Sequence, residues 1–186
     1  APRRRHRRDC ASTRLRLESR RTRHRPQRAY LVRARQRLGG QRISHYRFGH
    51  ILFQRYLYQQ LDLVERSLLH EQVGVKLALL YREQPETVAG ELARHFEEAG
   101  MIDQAIHYRR MAGERAVRLL AHQEAIGHLR QALALLAQLP ETSERQRLEL
   151  ELRLILGPAL LVVYGYWSPH VLDVYEAAEK LFRTVG

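Results

Sequence analysis

Lysine is almost missing from this chain: of its 32 basic residues only Lys76 and Lys180 are lysines. Neither follows a glycine-rich stretch, so there is no GxxxxGK(S/T) loop to cradle a nucleotide phosphate. Cysteine is scarcer still. A single Cys10 excludes an intramolecular disulfide and fits a reducing cytosol. Long apolar runs are wanting too. The nearest, LILGPALLVVY from Leu154, is interrupted by Gly157-Pro158 and falls well short of the roughly 18 residues of a membrane span. The arginine-rich start lacks the apolar core of a secretory signal. Together these absences predict a soluble cytoplasmic chain without a membrane partner.

What the chain has instead is charge, unevenly spread. Residues 1–47 hold 17 arginines against Asp9 and Glu18, whereas from Phe48 onward 15 basic residues face 18 acidic ones. The net charge of +12 therefore belongs to the N-terminal quarter, and the nearly neutral body gives no reason to expect nucleic-acid or lipid binding there. Residues 1–45 have too few large apolar side chains to offset ordering entropy and no sustained periodicity, which predicts a disordered Arg-rich tail. Such a tail could neutralise nucleic-acid phosphates. It contains no stacking pattern for base recognition. Arginine without lysine is also what GC-rich DNA yields when read in another frame, so an inert or artefactual tail stays open beside the nucleic-acid arm.

From His45 the texture becomes helical. Apolar residues recur at three- and four-residue steps through YRFGHILFQRYLYQQL, and again after Asp62 through Leu68, Leu69, Val73, Leu77 and Leu80. Gly74 inside the second run costs about 1 kcal/mol against alanine. Gln84-Pro85-Glu86 ends that helix and puts proline in the first turn of the next, which Gly100 closes. A helix follows from about Ile102 to Leu120, then one through QEAIGHLRQALALLAQL up to Pro140. SERQRLELELRLIL forms a further helix, bent or ended at Gly157-Pro158, and Ser168-Pro169 opens the last one, through Leu181. No strand signal is convincing. Short loops make neighbouring helices antiparallel.

Small residues sit where a packed helix usually carries leucine. With Ala105 at zero on a helical wheel, Ala112, Ala116, Tyr108 and Leu119 fall within about 60°, and Arg110, Glu114, Arg118 and His107 lie on the far side. Small residues let helix axes approach, and Leu92, Phe96 and Ile102 can fill the space they leave. The spacing of Ala93, Phe96, Gly100, Ala105 and Ala112 resembles the tetratricopeptide repeat, and Ala125 and Ala132 repeat its later half. The second block follows the first by 20 residues rather than the roughly 34 of that repeat, so the middle helix must serve two hairpins. The predicted fold is all-α: antiparallel helical hairpins in a tetratricopeptide-like solenoid behind the disordered tail. Ala93, Phe96, Gly100, Ala105, Ala112, Ala125 and Ala132 are its predicted helix-packing residues.

YRFGHILFQ, ERSLLHEQV, LARHFEEAG, QAIHYRRMAGERA, AHQEAIGHLRQAL and ELELRLILGPAL, in that order, resemble bacterial signal-transducing ATPases of the STAND type. These are often fused to an adenylate cyclase or a LuxR-type DNA-binding domain. The resemblance implies that residues 46–84 are the end of a winged-helix region with its linker helices, and that residues 85–186 begin the helical repeats. It implies a fragment of a larger ATPase-linked regulator that relays signals through protein contacts, its partner a protein or the adjoining ATPase domain. By the same resemblance, His50 in RFGH corresponds to the histidine that senses nucleotide phosphate in a longer parent. A capping or half-buried histidine is the competing reading.

Other chemistry finds little support. His70-Glu71 lacks the second histidine of HExxH, and His122 and His128 fall on different helix faces, so no metal is expected. Ser168 has no glycine elbow, and Cys10 lies in the tail, so no catalytic nucleophile is expected either. Trp167, with Tyr164 and Tyr166, reads as a wedge between loop and helices more readily than as a ligand-stacking cluster. The sequence thus predicts a non-enzymatic interaction module without a cofactor, its alternative being a nucleic-acid-binding protein acting through the arginine arm.

Overall fold

A computed structural model describes residues 31–38, 41–48 and 50–185. The expectations placed on residues 1–30, Cys10 among them, lie outside the described residues. The chain divides after Gln54 into two units.

The first unit holds a correction. Residues expected to be tail, or strandless, form an antiparallel hairpin of β1 (Leu31–Leu38) and β2 (Gln41–Phe48), with Leu31 opposite Phe48 and Leu38 opposite Gln41. Arginine recurs at 33, 35 and 37 with period two, a strand pattern hidden by the overall basic composition. Phe48 ends β2, so α1 (Ile51–Gln60) starts later than its apolar spacing suggests. His50 stands at its start and accepts the Leu52 N–H on Nδ1 at 3.2 Å.

From residue 51 to 185 the structure is all-α. α2 (Leu63–Leu80) opens on a reciprocal cap in which Asp62 Oδ1 accepts the Glu65 N–H at 2.7 Å and Glu65 Oε2 accepts the Asp62 N–H at 3.0 Å. Pro85 opens a separate 3-10 turn, Pro85–Thr87, rather than the next helix, and α3 is Ala89–Glu98. α4 (Ile102–Arg118) and α5 (His122–Leu136) follow, the latter ending one turn before the predicted stop at Pro140. Thr142 caps α6 (Ser143–Tyr164) by accepting the Arg145 N–H at 3.1 Å, and Pro169 is the first residue of α7 (Pro169–Val185). From α2 to α7 each helix packs on its sequence neighbour. Leu92, Ile106, Leu129, Leu136, Leu152, Leu156 and Leu160 fill the space between them as its largest fully buried side chains.

Two expectations about α6 and α4 change with these contacts. Gly157-Pro158 neither ends nor splits α6, although Pro158 has no N–H to give to the preceding turn. Burial of Leu152, Leu156, Ala159 and Leu160 on both sides of the proline carries the helix across the missing bond. Arg110, assigned to the solvated face, is half-buried and joins Glu114 at 2.8 Å and Glu151 of α6. That hydrogen bond to Glu114, ahead of the nearby acidic charge, pushes its pKa up.

The turns after α3 and α4 share one construction. Gly100 adopts φ +75°, the Gly100 N–H reaches Glu97 O at 3.0 Å, and the Met101 N–H reaches Phe96 O at 2.8 Å. Twenty residues on, Leu120 adopts φ +59°, with bonds from Leu120 N to Val117 O at 3.0 Å and from Ala121 N to Ala116 O at 2.9 Å. Both are left-handed helix stops that satisfy the terminal carbonyls. The 20-residue spacing of the alanines is thus also the spacing of two identical backbone turns.

Candidate functional site

The small-residue face is the most extensive feature that the sequence singled out. Ala93, Ala105, Ala125 and Ala132 are wholly buried, and Phe96 and Ala112 nearly so. The Phe96 ring stacks on Tyr108 at 5.4 Å between centroids, 9° from parallel. Gly100 differs from the rest: it is exposed, with no atom within 4 Å of where a Cβ would stand. Its part is to supply the positive φ of the turn, not to pack.

Three glycines that the sequence reading did not place among the packing residues leave no room for a side chain. A Cβ on Gly74 of α2 would stand 3.1 Å from Phe96 Cε1, one on Gly113 of α4 2.8 Å from Leu129 Cγ, and one on Gly157 of α6 2.7 Å from Tyr175 Cζ. Each glycine receives a large side chain of the following helix. Gly74, read from sequence as a mere cost to helix stability, is what lets α2 and α3 meet. The available signal was the pairing of each glycine with a bulky residue on the next helix, which appears only once the helices are docked.

One charged group interrupts the apolar face. Arg109 sits about 40° from Ala105 on the wheel and is buried, its Nη2 2.7 Å from Glu97 Oε2 and its Nη1 3.3 Å from His128 Nδ1. The guanidinium donates, so the neutral His128 accepts on Nδ1 and keeps its proton on Nε2, 3.6 Å from Glu124 Oε1. Burial, then the Arg109 charge, pushes the His128 pKa down. The arrangement ties α3, α4 and α5 together through charge-assisted bonds. It presents no nucleophile, and its carboxylates serve as hydrogen-bond partners.

The other named candidates are scattered. His50 is exposed and engaged at the start of α1, which is the capping reading and brings it to no other candidate. Trp167 is 85% exposed, its ring edge-on to Tyr166 at 5.3 Å, so it does not wedge the loop against the helices as predicted. Tyr164 instead meets His170 at 5.1 Å. Among the described residues no three His, Cys, Asp or Glu side chains are placed to hold a metal ion, and no helix is long and apolar enough to cross a membrane.

Large apolar side chains are also exposed in two groups. One lies on α2, including Leu63, Val64 and Leu68; the other lies at the α6–α7 corner, including Val162, Tyr166 and Trp167. Several large apolar side chains exposed on one element mark contact sites more often than isolated ones do.

No family model and no solved structure matches the chain. It is similar to an uncharacterized protein of Rhizobium meliloti (strain 1021), at 29% identity over 130 residues, which is 70% of this chain and 13% of that protein. The chain therefore corresponds to a small part of that relative's length.

Proposed function

We propose that the chain is a protein-contact and signal-relay module built of tetratricopeptide-like helical hairpins, part of a larger cytoplasmic ATPase-linked regulator of the STAND type. It carries no catalytic centre of its own. The observation that carries this reading is the row of exposed apolar side chains on α2, at the start of a helical stack whose interior is closely packed. The recurrence of one turn and one alanine pair after 20 residues supports the repeat character. An antiparallel hairpin ahead of His50 in the chain is compatible with a winged-helix end before the repeats. The adjoining ATPase domain is the partner proposed for the α2 surface, and its nucleotide is what His50 would sense in the longer protein.

Calorimetric titration of the chain with an isolated P-loop ATPase domain of a STAND-type regulator tests this. Binding should be micromolar or tighter, and Val64→Ser with Leu68→Ser should weaken it at least about tenfold, since apolar anchors dominate such contacts. Neither change should lower the melting temperature appreciably, because both side chains are at least half exposed. If the ATPase does not bind, while duplex DNA binds with steep salt dependence lost on removal of residues 1–30, the arginine-arm alternative replaces the reading.

A further inference from the structure

α1 is attached in an unusual way. None of its residues is buried, and a helix of ten residues is too short to persist unaided. Polar contacts hold its C-terminal half. Arg66 of α2 donates from Nε to Tyr58 O at 3.1 Å and from Nη2 to Gln59 O at 3.3 Å, its guanidinium 4.8 Å from the centre of the Tyr58 ring. The Tyr58 hydroxyl stands 3.0 Å from His70 Nε2, and His70 Nδ1 stands 3.0 Å from Nδ1 of His95 on α3. A tyrosine and two histidines thus form one hydrogen-bonded line across three helices.

We propose that the line Tyr58–His70–His95 is an acid-released latch holding the end of α1 against α2 and α3. Its logic is one of proton counting. With both rings neutral, the Tyr58 O–H donates to His70 Nε2, and His70 Nδ1–H donates to His95 Nδ1. One added proton reverses the line without breaking it. His95, now protonated at both nitrogens, donates from Nδ1 to His70 Nδ1, and the His70 proton moves to Nε2 and is donated to the Tyr58 oxygen. A second proton leaves no acceptor. Two Nδ1–H groups would then face each other at the observed separation, each on a cationic ring.

The surroundings hold His95 neutral, with the line in its first orientation. Burial is the largest influence holding the His95 pKa below the usual histidine range, followed by His70 and then by Arg94; Glu91 and Glu98 act the other way. Arg66, against Tyr58, adds a further cation at the far end of the line. A histidine whose value is depressed in the folded state contributes stability that is complete above the ordinary value near 6.5 and is lost as pH falls through the folded value. Acid should therefore act on the end of α1, where the line terminates at Tyr58. Ser67, which donates to Ala99 O at 3.0 Å, keeps a separate tie between α2 and the end of α3 that has no titrating group.

The test uses the intact chain. The imidazole nitrogen resonances of His95 should report protonation below the usual histidine range. Exchange of the amides of residues 55–60, corrected for its intrinsic pH dependence, should accelerate at least tenfold between pH 7 and pH 5, with α4 amides unchanged. His95→Gln, whose side chain binds hydrogen without titrating, should abolish the acceleration. Tyr58→Phe, which removes one end of the line and leaves the two rings, should speed exchange in α1 already at pH 7. A His95 ring that protonates at or above the usual histidine range, or an equal acceleration in His95→Gln, overturns the proposal. Should His95→Gln fail to fold, the Tyr58→Phe result decides: no change in α1 exchange at pH 7 overturns the latch.

Discussion

At the scale of single residues, the close contacts separate two glycines that look alike in sequence. Gly113 and Gly127 both lie inside helices, and both should favour replacement by alanine on helix propensity, by about 1 kcal/mol. Space distinguishes them. A Cβ at Gly113 would overlap the wholly buried Leu129, whereas Gly127 has no atom within 4 Å of its would-be Cβ. Gly127→Ala should stabilise by about 0.5–1 kcal/mol. Gly113→Ala must displace Leu129, at an overpacking cost of about 1–3 kcal/mol that cancels or exceeds the propensity gain. Urea unfolding with equal slopes for the two variants measures the difference. Equal stabilisation by both would mean that α4 and α5 do not approach as described. Much of the packed face was legible beforehand: Ala93, Ala105, Ala112, Ala125 and Ala132 are where helical spacing put them. Arg109 was not, because a wheel ranks residues by angle and polarity, and the partners that make burial of a guanidinium tolerable, Glu97 and His128, come from other helices.

At the scale of elements, boundaries followed local chemistry where local chemistry was strong. The stop at Gly100 and the start at Pro169 stand as the sequence suggests, and the cap at Asp62 is a local signal the spacing argument did not use. Pro158 and the β-hairpin did not follow. The first was overridden by burial on either side, and the second was masked by composition. Leu120 is the instructive intermediate: it does glycine's work in the turn between α4 and α5, with a positive φ that costs an L-residue roughly 1–2 kcal/mol. It is 76% exposed, so little packing holds it there. Leu120→Gly should relieve that strain at the expense of a more flexible unfolded chain, for a net gain of about 0.5–1 kcal/mol. Gly100→Ala, at the equivalent place one unit earlier, should lose a comparable amount. Thermal unfolding of the two variants provides the comparison, and destabilisation by Leu120→Gly would contradict the turn geometry.

For the helical body as a whole, sequential packing makes stability a nearest-neighbour property. In such arrays each element is held by its own interfaces, so protection falls toward the ends instead of being shared equally. Here α4 and α5 lie between packed neighbours on both sides and contribute Ile106, Leu129 and Leu136 to the core. α7 packs mainly on α6, and α1 buries nothing. Amide exchange at neutral pH should accordingly be slowest in α4 and α5, faster in α3 and α6, faster again in α2 and α7, and fastest in α1. Mass spectrometry of peptides spanning each helix reads this order directly. The alanines set the steepness of the gradient, because close axes exclude water best where Ala105 and Ala112 meet the neighbouring helices, and the glycine contacts extend that exclusion outward through Phe96 and Tyr175. A uniform protection level from α2 to α7 would indicate a single cooperative core and would remove the physical basis for treating the helices as stacked, separable units. A gradient centred on α4 and α5 would place the least stable elements, α1 and α7, next to the two exposed apolar surfaces, where a binding partner would have the most stability to add.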